Sequence, residues 1–581
     1  MANKRDSRSP PTSLLTVDAR ADSGLVSLER SPSAAVQPLA PKEYADAVWK
    51  HSQQTIQQSL YPGENFDKLA LYLRKFVPSN LASSTSSTTS PQKSPVDFVS
   101  SYIFNRSGKP PVSTEHIRSA QRLPERHDEN LRQTQTASSQ VLFLRGQPSS
   151  EWLATVGATY RVDPEFFQRH LDFYANAGRR NSFSLPSLSP SHIIEIHYTT
   201  IGEWNRPQPE LEVKQEHIEQ LRKACAESKR DYDLTHLVAN LDSDSGLGKS
   251  IVREFLAFDE KHFAIEQRMT ITVEKIGKEW AALVWTDTGK DLYEGPYGPG
   301  PWTSVKGLGG RWEPRAVYPT IQVQPHIALK FHRTNIQKSI RPEGKFVQSS
   351  SLLPLNYGRS LDERVAARDP FYAVSELFTF CAFSETQFLN MLESKLSSAT
   401  NAETLSKRPL ELSNLLYMQK AVKVHAERIR DNIETIKTRG SASWPRANDN
   451  KPHDKVEAVA DVLEKQYEHL LRRAEMLSAR IDDETRFLTN KALVDEAKRA
   501  RDQAAEVTKL TRLAFFYIPL SFISSFFGMN LDPLTDARNS LWWFFVISVP
   551  TLCLSTAPLI WDIPELFRRF LDEIKKNRAQ P

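Results

Sequence analysis

Residues 521–533 read SFISSFFGMNLDP, and this stretch decides how the rest of the chain is interpreted. Its first seven residues are all Phe, Ile or Ser, and the apolar run then stops at Gly528 and Asn530. Charged residues make up 25% of the chain, yet none occurs in residues 513–531. That interval is long enough to cross a hydrocarbon core of about 30 Å. The stretch is therefore predicted to be the end of a membrane-spanning helix.

A second uncharged run covers residues 541–561, with tryptophans near both ends, where interfacial aromatic side chains are common. A buried core helix is the alternative for either run, but two adjacent runs at the end of a polar chain favour two transmembrane helices. Lys and Arg flank the pair on both sides, whereas the loop between them has only Arg538. Both termini are therefore predicted to be cytosolic. The plasma membrane is the expected location, and other membranes remain open.

The region upstream of the first span reads as one long helix. Neither Pro nor Gly occurs between Asp454 and Pro519, so a helix is predicted over 454–527, about 110 Å long at 1.5 Å per residue. Its apolar residues recur at a spacing of about 3.5 from Val456 to Leu488, which is typical of a coiled coil. A long amphipathic helix that packs on its own domain fits the same pattern, and both alternatives stay open.

The rest of the chain is polar, with a mean hydropathy of −0.48. A net charge of +5 does not suggest nucleic-acid binding, and three scattered cysteines form no disulfide framework. No catalytic triad, carboxylate pair or paired histidine spacing is apparent, so the chain is not predicted to be an enzyme. Alternating strand and helix patterns over 140–345 predict an α/β domain. Within it, residues 149–174 predict a helix, a turn and a helix, with N-caps at Ser149 and Asp163.

The predicted organisation has seven parts. In chain order these are a largely disordered or irregular N-terminal region (1–135) with a low-complexity linker (83–95), a cytosolic α/β domain (136–400), a helical hairpin and stalk (401–512), the first span (513–531), an outer loop (532–540), the second span (541–561) and a basic cytosolic tail (562–581).

The stretch IPLSFISSFFGMN (518–530) ends a long stalk helix and is followed by a short loop, a second span and a basic tail. In this arrangement the sequence resembles the CorA-type magnesium channels. The resemblance covers 454–578 and extends weakly to 140–175, where it is closest to fungal members. It implies a homopentamer in the lipid bilayer with a funnel-shaped α/β cytosolic domain. The first span would line a pore for divalent cations, mainly Mg²⁺, and the second would lie outside it.

The same resemblance assigns roles to individual residues. It places the selectivity filter at Gly528, Met529 and Asn530, and pore-lining positions at Leu510, Ile518 and Ser521. Helical spacing independently groups one stripe of residues: Val507, Leu510, Ala514, Ile518, Ser521 and Ser525. A ring of neutral Asn530 amides would hold hydrated Mg²⁺ by its waters and release it readily. Gly528 is expected to let the backbone turn sharply, and Val507 with Leu510 to form a hydrophobic gate.

The sequence departs from the family pattern at two places. Phe527 replaces the usual Tyr before the filter, and the outer loop contains Asp532 and Asp536 in place of glutamate, so ion attraction is expected to rest on these two aspartates. By analogy with acidic stalk residues of the family, three aspartates are candidates for binding regulatory Mg²⁺, although a solvated helix face is the favoured explanation: Asp482, Asp483 and Asp495. Two other functions remain open, a non-conducting regulatory relative of such channels and a membrane-anchored coiled-coil scaffold.

Overall fold

The computed structural model describes residues 39–55, 57, 59–75, 98–105, 115–133, 138–171, 192–205, 215–239, 247–276, 279–295, 298–299, 301–307, 310–322, 345–400, 412–447, 450–528 and 540–560. The predictions for 1–38, for the linker at 83–95, for residues 532–539 of the outer loop and for the basic tail lie outside these ranges.

The described chain contains an α/β domain followed by long helices. The strands are β1 (Val99–Asn105), β2 (Glu115–Ile117), β3 (Ser138–Arg145), β4 (Ile194–Asn205), β5 (Glu254–Ala257), β6 (His262–Ile276), β7 (Glu279–Thr286), β8 (Glu294–Gly295), β9 (Gly298–Pro299), β10 (Val305–Gly307) and β11 (Gly310–Val317). The helices are α1 (Pro41–Ser52), α2 (Asp67–Arg74), α3 (Arg122–Gln133), α4 (Ser150–Tyr160), α5 (Pro164–Leu171), α6 (Gln215–Ala239), α7 (Leu353–Asn356), α8 (Glu363–Ala366), α9 (Pro370–Thr400), α10 (Leu412–Lys437), α11 (Asn450–Phe527) and α12 (Ser540–Ile560). Short 3-10 helices lie at Glu64–Phe66, Pro301–Thr303 and Ser349–Leu352.

One large mixed sheet organises the domain. Its strand order is β10-β11-β4-β6-β7-β3-β1-β2, and β5 pairs with β6 beside that path. The central strands β3 and β7 run parallel, from Gln140 opposite Ala281 to Arg145 opposite Thr286. Helices cover both faces: in β3, Leu142 packs towards α1, α2, α4 and α5, whereas Val141 packs towards α9, α10 and α11. The predicted α/β domain with long C-terminal helices is confirmed.

The boundary predicted at residue 136 cuts through this sheet and is wrong. β1 pairs with β3 along its whole length, from Val99 opposite Leu144 to Asn105 opposite Ser138. Helices α1 and α2 also belong to the domain, since the Tyr44 hydroxyl donates to the Val162 carbonyl at 2.8 Å. The Ser- and Thr-rich composition nearby suggested irregular chain, but the apolar residues that pack β1, α1 and α2 find their partners far along the sequence.

The starts of two helices in the domain were predicted from local sequence alone, because a helix N-cap depends on residues within one turn. Ser149 caps α4 by accepting from the Trp152 amide at 3.3 Å, as predicted. Asp163 likewise accepts from the Glu165 amide at 2.8 Å at the start of α5. These caps satisfy amides that have no partner inside their own helix.

The apolar seam of α11 packs inside its own chain. The seam residues from Val456 to Ile481 are buried in the core that also contains the sheet face, α9 and α10. Within it, the Tyr467 hydroxyl donates to the Phe378 carbonyl of α9 at 2.8 Å. Of the two alternatives left open by the spacing, the structure therefore shows an amphipathic helix on its own domain over 456–481. Leu488 is only partly buried, at the edge of that core.

Candidate functional site

Helix α11 leaves the folded body and continues alone towards the C-terminus. It runs unbroken over Asn450–Phe527, as the absence of Pro and Gly predicted, with Pro519 inside it. Every side chain from 489 to 513 is exposed in the single chain. That segment spans about 36 Å at 1.5 Å per residue. Among the described residues, an exposed stretch of α11 therefore connects the folded body to the apolar end of the helix. We call this stretch the bare stalk (489–512).

The apolar end of α11 has the length and composition of a membrane span. Within the described ranges, one helix meets both criteria, and it is the helix that ends at Phe527, with a mean hydropathy of 1.4 in its apolar window. Only 6% of that window is buried within the chain. α12 contributes a shorter apolar stretch, Trp542–Ser555. These surfaces lack the internal packing that marks the core helix of a soluble protein.

The stripe predicted to line a pore is exposed along one side of α11. Val507, Leu510 and Ile518 are 60%, 67% and 66% exposed, and Ser521 and Ser525 are exposed as well. Ala514, the remaining member, is half-buried. The stripe is small and polar towards Phe527 and apolar towards the stalk.

α12 packs on the other side of α11. Ile523 and Ser548 are both only 5% exposed where the two helices meet, and the rings of Phe527 and Phe544 lie edge to face. At 100° per residue, Ile523 lies about 160° round the helix from both Ser521 and Ser525. The predicted stripe therefore faces away from α12.

Gly528 is the last described residue of this segment and follows directly on α11. Its amide donates to the Ser524 carbonyl at 3.0 Å, so the last helical turn continues through it. Its φ lies outside the left-handed region, and a Cβ there would meet the Ser524 and Ser525 carbonyl oxygens at 3.3 and 3.4 Å. The conformation of the single chain therefore does not itself demand glycine. Met529, Asn530, Asp532 and Asp536 lie outside the described residues.

The three stalk aspartates do not come together within one chain. Asp482 accepts a hydrogen bond from the Gln419 amide of α10, which ties it to the folded body. Asp483 and Asp495 are exposed, and Asp495 lies about 20 Å along the helix axis from Asp482. A shared metal site for all three is excluded within the single chain.

Residues 359–561 match the family profile described as "CorA-like Mg2+ transporter protein". This part of the chain is similar to the CorA-type transporters. The matched range runs from the loop before α8 through α12 and includes the stripe and Gly528–Asn530. Family members are transporters rather than enzymes, in agreement with the sequence. The fungal character suggested by residues 140–175 stays a prediction.

Comparison with curated proteins found no match. Among solved structures, the chain is similar to the CorA magnesium transporter from Methanocaldococcus jannaschii, with 12% sequence identity. The likeness covers 64% of this chain and 98% of that chain, with a TM-score of 0.21. A TM-score this low gives the likeness no weight for fold or function.

The CorA-like chain also contains a buried ionic cluster that the sequence did not reveal. His425 of α10 lies between Glu385 of α9, 2.9 Å from its Nδ1, and Glu266 of β6, 3.0 Å from its Nε2. Arg428 donates to the other oxygen of Glu266 at 2.7 Å. Burial opposes the charged imidazole, but the two carboxylates overcome it and raise the pKa of His425 to about 9. The cluster fastens α9 and α10 to the sheet.

A second group of polar side chains in the CorA-like chain has metal-ligand spacing. Ligand atoms of Asp163, Glu165 and His192 lie within 4.8 Å of one another. Asp163 already caps α5, and Glu165 pairs with Arg169 at 2.5 Å. The positive end of the α5 dipole is also unfavourable for a cation. The positions of Asp163 and Glu165 are therefore explained by their contacts at the start of α5, without a metal ion.

Proposed function

We propose that copies of this chain form a ring that conducts divalent cations, Mg²⁺ foremost, across a membrane. The observation that carries the proposal is the family match over 359–561, which includes the apolar end of α11, the Gly-Met-Asn tripeptide and α12. In this proposal Mg²⁺ is the transported ion, and the protein changes no covalent bond.

The last two helices are proposed to be two membrane spans. α12 extends over Ser540–Ile560, about 31 Å at 1.5 Å per residue, which matches a hydrocarbon core of about 30 Å. Its edge-to-face contact with α11 supports a helical hairpin. Because basic residues lie on both outer flanks, such a hairpin would have both termini and the α/β domain in the cytosol.

The pore requires several copies, because one hairpin of two helices cannot enclose a channel. The stripe faces away from α12, which supports a ring with α11 inside and α12 outside. In that ring Ser521 and Ser525 would supply hydroxyls to hydrated ions. Val507 and Leu510 would form apolar rings at the cytosolic end that close the pore by dewetting. A homopentamer is the assembly that the family resemblance implies.

The filter is proposed at Gly528, Met529 and Asn530. Mg²⁺ sheds its waters reluctantly, so neutral amide oxygens of Asn530 would hold the hydrated ion loosely enough for release. The φ of Gly528 suits any residue, so the backbone conformation does not require glycine there. In this proposal the missing side chain instead lets neighbouring copies approach one another closely at the pore axis. We therefore expect Gly528→Ala to reduce ion flux while leaving the fold of each chain intact, as measured by flux and circular dichroism.

Acidic residues would act around this path rather than in it. Asp532 and Asp536 would concentrate cations at the outer mouth. Asp482, Asp483 and Asp495 would bind regulatory Mg²⁺ only if neighbouring copies complete their ligand sets, because a single chain holds them apart.

Uptake of Mg²⁺ into proteoliposomes that contain the purified full chain tests the proposal. Flux that depends on the protein and saturates with Mg²⁺ supports it. A silent but assembled protein would favour the regulatory relative. The scaffold alternative is weakened already, because the seam from Val456 to Ile481 is buried in its own chain and offers no free coiled-coil face.

A further inference from the structure

The bare stalk of α11 carries charges that its own chain leaves unpaired. All side chains from 489 to 513 are exposed. Across the described residues, none of the Asp, Glu, Lys or Arg side chains of 489–512 forms an ion pair. Over about 36 Å, the hydrogen bonds of this helix to described residues stay within the helix itself, for example from the Thr508 hydroxyl to the Ala504 carbonyl. Its charge pattern therefore bears on what covers it.

The two flanks of the bare stalk differ in charge when viewed down the axis from the stripe. At 100° per residue, Ala497, Ala504 and Arg501 lie about 60–120° to one side of Val507. Asp495, Asp502 and Glu506 lie about 100–140° to the other side, with Arg499 beside them at about 80°, so that this side keeps an excess of acidic residues. We call these the arginine flank (Ala497, Arg501, Ala504) and the acidic flank (Asp495, Asp502, Glu506). Of the four acidic residues in 489–512, only Glu496 lies elsewhere, on the side of the stripe.

Arg501 has no acidic neighbour at helical contact spacing. Charged pairs on a helix form between residues three or four apart. At those positions Arg501 has Ala497, Lys498, Ala504 and Ala505. The lysines of the bare stalk differ, since each has an acid at such a spacing on its own helix, as Lys498 has Asp502. A partner for Arg501 must therefore come from outside the helix.

A lipid headgroup is too far away to be that partner. Arg501 lies about 18 Å along the axis from Leu513, where the apolar end begins, whereas the headgroup layer extends only about 5–8 Å beyond the hydrocarbon. Another copy of the chain can supply the acidic partner, because in a ring of parallel copies each residue lies at the same level along the axis in every copy. Arg501 and Asp502 differ by one residue, about 1.5 Å in height.

We infer that neighbouring copies meet through the arginine flank of one and the acidic flank of the next, with Arg501 reaching Asp502 across the contact. This inference rests on the ring of the proposed function. The small side chains of Ala497 and Ala504 allow the next helix to approach closely. The longer Arg501 side chain can then reach the acidic flank of that helix. Because the two flanks differ, the contact is head-to-tail around the ring, and it closes a ring rather than a twofold dimer.

Cysteine cross-linking of the full-length protein in membranes tests the contact. Ala504→Cys and Glu506→Cys place one thiol on each flank at nearly the same height, in a Cys553→Ser background that removes the exposed native thiol. A short bismaleimide should give a ladder of cross-linked species up to the complete ring in the double variant. Each single variant should give little product, because the contact joins unlike flanks. Equal cross-linking of the single variants would overturn the inference.

Charge variants add a second measurement that uses the same ladder. Arg501→Glu should reduce the cross-linking yield several-fold, and adding Asp502→Arg should restore most of it. Lys491→Glu on the outer face, which is not at contact spacing from Arg501, and Glu496→Gln on the stripe side serve as controls and should leave the yield unchanged. An unaltered ladder in Arg501→Glu would contradict the inference. A complete ladder in a protein without Mg²⁺ flux would support the contact and count against the proposed function instead.

Discussion

Phe527 meets Phe544 edge to face, with ring centroids 5.8 Å apart and an interplanar angle of 80°. The contact joins the last turn of α11 to the first turns of α12. It lies on the side of α11 that Ile523 also occupies, away from Ser521 and Ser525. One aromatic pair thus fixes which face of α11 is left for neighbouring copies and for an ion path.

Removing this pair should loosen the hairpin. We expect Phe544→Ala to lower the free energy of unfolding by at least the roughly 0.5–1.5 kcal/mol of an aromatic pair. Thermal unfolding in detergent measures the change. Leu554→Ala is the matched control, because Leu554 is 78% exposed and should give no comparable loss. Equal effects of the two substitutions would mean that α12 does not pack through Phe544.

The apolar gate predicts a gain of function. In the proposed pore, a ring of Leu510 side chains excludes water and so blocks ions. Leu510→Asn should keep water in the pore at this level and raise Mg²⁺ flux several-fold. Val494→Asn is the control, since Val494 is also an exposed apolar stalk residue but lies off the stripe. Fluorescent Mg²⁺ indicators in proteoliposomes provide the readout. If Val494→Asn raised the flux as much as Leu510→Asn, the assignment of the hydrophobic gate to Leu510 would be wrong.

The buried cluster around His425 makes stability depend on pH. The pKa of His425 is raised from 6.5 to about 9, so its contribution is fully present below pH 6.5 and is lost as pH rises through about 9. The contribution is on the order of 3 kcal/mol. His425→Gln should lower the melting temperature most near pH 6.5, and the gap to wild type should shrink towards pH 10. His469→Gln, at an exposed histidine of α11, should show no such trend.

A gap between wild type and His425→Gln that stays constant over this pH range would contradict the account of the cluster. In that case the imidazole would stabilise the fold through packing alone, for example through its stacking on Phe388, whose ring centroid lies 4.1 Å away.

How far the sequence predicted the molecule depended on how local each signal was. The long helix was predictable because the absence of Pro and Gly between Asp454 and Pro519 acts residue by residue. The cap at Ser149 was predictable because its partner, the Trp152 amide, is three residues away. The apolar seam could be read as a helix face, but periodicity does not say whether the covering surface belongs to the same chain or to another.

The remaining features depended on distant contacts. β1 becomes a strand because Val99 and its neighbours pair with β3, some 40 residues along the chain. His425 meets Glu385 and Glu266 across separations of 40 and 159 residues, which no spacing pattern reveals. At the candidate site, the helical stripe was predicted from spacing, whereas its orientation away from α12 emerged only from the burial of Ile523 and the contact between Phe527 and Phe544.

The most direct test of the central claim compares Mg²⁺ flux through wild type and Asn530→Ala in proteoliposomes at matched protein content. Asn490→Ala is the control, because it removes an exposed amide from the bare stalk of the same helix. The account predicts that Asn530→Ala abolishes or strongly reduces the flux while Asn490→Ala and wild type conduct equally. Normal Mg²⁺ flux through Asn530→Ala would contradict the filter at residues 528–530 and the ion path built on it.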